Sequence, residues 1–131
     1  MPTCREHHQQ ADHNKCLFDS LPCRDSYRDW AVVLLHYTCL HLLDAFLDLK
    51  RQHPESHTDR RNRLRGLRPR TRDLALCLTA YEEMGRLSHK ARYECRQITE
   101  QDLADATTVF PSIRTWVEVQ LSQRGFAGGR Y

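Results

Sequence analysis

Residues 30–49 constrain this chain more than any other stretch. They read Trp-Ala-Val-Val-Leu-Leu-His-Tyr-Thr-Cys-Leu-His-Leu-Leu-Asp-Ala-Phe-Leu-Asp-Leu, with no Gly or Pro between them. Apolar side chains wrap nearly the whole circumference of a helix here, which is the pattern of a helix buried on most of its faces. The stretch is almost long enough to cross a bilayer, but His36, His41 and Asp44 sit inside it and Asp48 closes it. Ionisable groups are costly in lipid, so the reading is the central helix of a soluble bundle, with no membrane partner. The character then flips to Lys50, Arg51, Gln52, His53, Pro54, Glu55, Ser56 and His57, and that junction is where a site is expected.

A chain of 131 residues is one domain able to bury a single core. Its net charge is only +3, yet the cations are unusual: 17 are arginine and 3 lysine, and Arg60, Arg61, Arg63, Arg65, Arg68, Arg70 and Arg72 fall in one segment with no acid among them. The planar guanidinium fork matches phosphate better than an ammonium does; the alternative is a solvated Arg-rich loop. Six cysteines are present without a Cys-x-x-Cys pair, and the first ten residues are polar, without the apolar stretch of a secretion signal. These features predict a cytoplasmic protein with reduced thiols, no metal site and no cofactor.

Helical punctuation divides the rest. Thr3 with Glu6 predicts a capped first helix from about 4 to 20, ended by Pro22. Ser26 is the expected cap of the central helix and Pro54 its stop. Ser56 or Thr58 opens a short third helix that fades at Gly66, and Thr71 caps a fourth whose stripe is Leu74, Cys77, Leu78, Tyr81, Met84 and Leu87. Thr99 with Asp102 opens the last helix, which Pro111 should bend or split. No period-two alternation competes. The expectation is an all-α single domain of four or five helices over 1–123, followed by a flexible tail over 124–131.

Three pieces in order resemble a small HEPN-domain protein: Asp29-Trp30-Ala31-Val32 leading into 40–47, His53-Pro54-x-x-His57-x-x-Arg60, and Leu87-Ser88-x-x-Ala91-Arg92-Tyr93, with 11–14 fitting at the front. The resemblance spans about 6–121. It implies a HEPN-like helical bundle that forms a homodimer. It further implies either a metal-independent endoribonuclease of a toxin–antitoxin or defence system, or a non-catalytic module that binds nucleotide or scaffolds a partner. The ribonuclease motif is an Arg followed four to six residues later by a His, and the match here is Arg51-x5-His57. In that family the motif is expected near a later helix, where this chain has Arg86, His89 and Arg92 in a different order.

Cleaving RNA without a metal requires a proton acceptor for the 2′-OH, a proton for the 5′-oxygen and charge stabilisation at phosphorus. Imidazole and guanidinium supply these roles. Arg51 and His57 are therefore the expected catalytic pair, with His53, Arg60, Arg61 and Arg63 as RNA-binding residues and single-stranded RNA and an antitoxin or other protein as partners. His36 and His41 are expected to be core histidines bonded to Asp44 or a carbonyl. His7, His8 and His13 are expected at the surface, and Ser88, Arg92 and Tyr93 as a polar anchor.

Overall fold

Five helices follow one another in the computed structural model, which describes residues 1–21 and 25–126: α1 (Cys4–Ser20), α2 (Arg28–Leu49), α3 (His57–Arg65), α4 (Arg72–Tyr93) and α5 (Glu100–Gln123). Pro22 and Cys23, and residues 127–131 of the expected tail, lie outside the described residues. The chain is an all-α single-domain bundle, with no strand among the described residues.

Helix α2 is its axis. Fourteen of its 22 residues are buried, and it packs on α1, α4 and α5, while α4 also packs on α5. It is long and apolar enough to cross a membrane, and 72% of its most apolar window is buried inside the bundle. Burial on three sides is what its nearly uniform hydrophobicity anticipated. Neighbouring stripes complete the core: Leu74, Cys77, Leu78, Tyr81, Met84 and Leu87 from α4, and Ala106, Phe110, Ile113, Trp116, Val117 and Leu121 from α5.

Local capping sets most helix starts. Thr3 Oγ1 accepts from Glu6 N while Glu6 accepts from Thr3 N, and Thr99 and Asp102 repeat the reciprocal arrangement. Ser56 and Thr71 each accept from a backbone N–H in the first turn of α3 and α4. Pro111 neither splits α5 nor lies in its core; it is exposed within the one continuous helix.

Helix α2 departs from expectation at both ends. Its N-cap is Tyr27, with no side-chain cap, so Ser26 does not start it. It ends well before Pro54. Gln52 N bonds back to Leu47 O at 2.8 Å, and Arg51 takes the left-handed conformation at φ 56° that such a terminator requires. At the far end Gly125 (φ 79°) and the Phe126 N–H, bonded to Leu121 O, close α5 in the same way, and Phe126 packs on the core. The chain past Gln123 thus begins as a cap.

Helix α1 hides a histidine in its apolar stripe. Cys4, His8, Ala11 and Phe18 face inward, and His8, expected at the surface, is 2% exposed. Its Nε2 lies 2.8 Å from Glu118 of α5, and that hydrogen bond holds the imidazole above its ordinary pKa despite burial. His7 is half-buried, Nδ1 to Nδ1 at 3.1 Å from His41. His41 therefore pairs with His7 rather than with Asp44. His13 alone of the three is exposed.

Candidate functional site

Helix α3 hangs on the bundle through two inward side chains one turn apart, Arg60 and Leu64. Arg60 makes a two-pronged pair with Asp44 of α2, Nε to Oδ1 at 2.7 Å and Nη2 to Oδ2 at 3.0 Å. Both side chains are under a tenth exposed. This pairing fixes where His57, one turn earlier, must lie.

His57 lands on the wall of a cleft of about 550 Å³ between α3 and α4, floored by α2. That volume falls within the range of small-ligand sites. Arg61 and Arg65 enter from α3; Tyr81, Glu82, Gly85, Arg86, His89, Arg92 and Tyr93 from α4, with Glu94 just beyond it; and His36 from α2. On α4, residues 81, 85, 89 and 92 recur every three or four positions and share one face.

Charge in the cleft is unevenly satisfied. Arg65 pairs with Glu82 at 2.8 Å and Arg86 with Glu83 at 2.7 Å. Arg61 and Arg92 have no carboxylate partner among the described residues. Arg61 reaches only Thr58 Oγ1 at 3.5 Å, and Arg92 donates to the hydroxyls of Tyr37 (2.9 Å) and Tyr93 (3.3 Å). The bond to Tyr37 anchors α4 to α2, as expected for Arg92. Ser88 contributes no side-chain anchor, because its buried Oγ is without a partner.

The two imidazoles on the cleft walls are held in opposite senses. Arg60 Nη1, which can only donate, lies 3.4 Å from His57 Nδ1. Nδ1 therefore accepts, and the neutral ring carries its proton on Nε2. Burial first, then the charges of Arg60, Arg92 and Arg61, lower the His57 pKa and keep the ring neutral. His89 Nδ1 instead faces Glu94 Oε2 at 3.1 Å. A carboxylate only accepts, so Nδ1 carries a proton, and it is the neutral tautomer of this ring that has its lone pair on Nε2. One ring offers a donor, the other a base.

His36 forms the floor. It is 4% exposed, its ring stacks with those of His57 (6.0 Å) and Tyr81 (5.8 Å), and its Nδ1 has no hydrogen-bond partner. Burial, with the charges of Arg92, His57 and Arg60, pushes its pKa down to about 3. The expected bond to Asp44 is absent because Asp44 lies eight residues, about 12 Å, farther along the same helix, where it pairs with Arg60 instead.

The residues singled out from sequence are dispersed. His57 and Arg61 line the cleft; Arg51 is not among its lining residues and instead terminates α2. His53 lies 3.6 Å from Asp48, Arg63 pairs with Asp59 at 3.0 Å, and Arg60 is consumed by Asp44. Farther along the arginine run, Arg68 and Arg70 donate to the Arg65 carbonyl at the end of α3. His89 and Glu94 were missed because their contact is not a motif spacing; only the α4 face shared with Tyr81 and Arg92 pointed to them. Among the described residues no three His, Cys, Asp or Glu side chains gather as a metal site. No protein-family model, curated protein or solved structure matches the chain.

Proposed function

We propose that this bundle is a HEPN-like RNA-directed protein that takes a single-stranded phosphodiester into the α3–α4 cleft and cleaves it without a metal. The observation that carries this reading is the pairing, on one cleft, of an N–H donor from His57 and a second imidazole whose Nδ1 is held by a carboxylate, beside two guanidiniums that lack carboxylate partners among the described residues. In this scheme His89 Nε2 takes the 2′-OH proton, the 2′-oxygen attacks phosphorus and the P–O5′ bond breaks, leaving a 2′,3′-cyclic phosphate. Solvent water protonates the departing 5′-oxygen, and the His89 proton returns to solvent. His57 Nε2–H, Arg61 and Arg92 hold the charge that builds on the phosphorane. The phosphate clamp is thereby assigned to Arg61 and Arg92, and Arg51 has no part in it. The resemblance also implies a homodimer and a protein partner such as an antitoxin; this cleft draws both imidazoles from one chain.

A second reading has its own support. An imidazole backed by arginine is the arrangement of a phosphate-binding donor, which suits a binding module without catalysis. Labelled single-stranded RNA incubated with protein in EDTA separates the two. Cleavage is expected, slowed about 100-fold by His89→Ala and also slowed by His57→Ala. Arg51→Gly, which keeps the left-handed turn, is expected to cleave like the wild type. RNA bound but left intact by the wild type leaves the binding module. Wild-type rates in both histidine variants remove the cleft from the mechanism.

A further inference from the structure

Tyr93 stands at the mouth of the cleft and is 64% exposed, yet it is not loose. The Arg92 guanidinium lies 4.8 Å from its ring centroid and donates to its hydroxyl, and Arg92 is itself tied to Tyr37 on α2. The ring is thus backed by a fixed cation and flanked by the tilted His89 ring, 5.2 Å between centroids, while its exposed remainder faces water. About two turns back along the same α4 face lies Gly85, in the helix interior, where glycine costs about 1 kcal/mol relative to alanine. A Cβ there would stand 3.8 Å from His36 Nε2, so alanine would fit in ordinary contact, and its absence leaves the floor open above a buried, incompletely partnered imidazole. Between these points, about 12 Å apart along the helix, lie His89 and Arg92.

Resting on the RNA reading above, we infer that Tyr93 is a nucleobase platform: an unpaired base stacks on its open face, and the sugar–phosphate runs inward past Arg92 and over Gly85 toward His36. A flat, rigid aromatic surface beside guanidiniums is the combination that grips single strands, whose bases are free to stack. Duplex RNA, with its bases already stacked, does not satisfy the platform.

Fluorescence anisotropy with a labelled oligouridylate and with an abasic oligoribonucleotide of equal length tests this. Tyr93→Ala is expected to weaken oligouridylate binding about tenfold and to leave the abasic strand unaffected, while Tyr93→Phe, which keeps the ring, binds oligouridylate to within a few-fold of wild type. Gly85→Ala is expected to raise the melting temperature yet weaken binding of both strands. Equal oligouridylate affinity in Tyr93→Ala and wild type overturns the platform. If Arg61→Ala weakens binding in that same experiment, the RNA reading survives without it; if no variant changes binding, both fall together.

Discussion

Arg60→Ala is expected to destabilise the fold by about 3–5 kcal/mol, the usual cost of leaving one member of a buried ion pair behind. The Asp44 carboxylate, under a tenth exposed, would lose the partner it holds at 2.7 and 3.0 Å. The loss should be measurable by urea unfolding at pH 7. Arg60→Met combined with Asp44→Leu should cost less than Arg60→Ala alone, since an apolar pair of similar bulk leaves no charge unpaired. The effect should also reach the cleft. Arg60 and Leu64 are the two buried residues of α3, and His57 is positioned by the same turn, so RNA affinity should fall in the single variant. A change below about 1 kcal/mol, the range of exposed pairs, would show that Asp44 is solvated and that α3 is held by Leu64.

That pairing also explains what could be read in advance. The starts of α1, α3, α4 and α5 were legible because capping is local: Thr3, Ser56, Thr71 and Thr99 each bond a group three residues away. The ends of α2 were not. Ser26 and Pro54 carry stronger sequence signals than Tyr27 and Arg51, and an arginine in left-handed geometry leaves no mark in a sequence. In the arginine run, residue type points outward while position points inward. Arg60 lies four before Leu64 and so on the buried face, a cue that the clustered cations obscured. The cleft itself joins residues 36, 57–65 and 81–94, three separated pieces that no single spacing rule could unite. His57 and Arg61 were found because they lie near a helix start in a basic segment. His89 was passed over because its order relative to Arg86 and Arg92 was judged against a linear motif, although the cleft depends on the face of α4 instead.

His36 should make the protein sensitive to mild acid. In the unfolded chain its imidazole has the ordinary pKa of about 6.5, whereas in the fold burial pushes it to about 3. The unfolded state therefore binds the extra proton first, and stability falls as the pH drops below 6.5. The loss attributable to His36 is about 2 kcal/mol by pH 5 and about 4 kcal/mol near pH 3. Protonation is opposed by His57 and Arg60 from α3 and Arg92 from α4, and no carboxylate among the described residues bonds the ring. His7 and His41, also lowered by burial, add losses of the same sign, while the raised His8 works in the opposite direction. Comparing wild type with His36→Phe between pH 7 and 5 isolates the one group, because the other titrating groups are common to the two proteins. The phenyl ring keeps the stack on Tyr81 and removes the titration. Its urea-unfolding free energy should lose about 2 kcal/mol less than wild type across that interval, whatever its absolute stability at pH 7. Equal losses in the two proteins would mean that the cleft floor admits water and that His36 is free to charge in place.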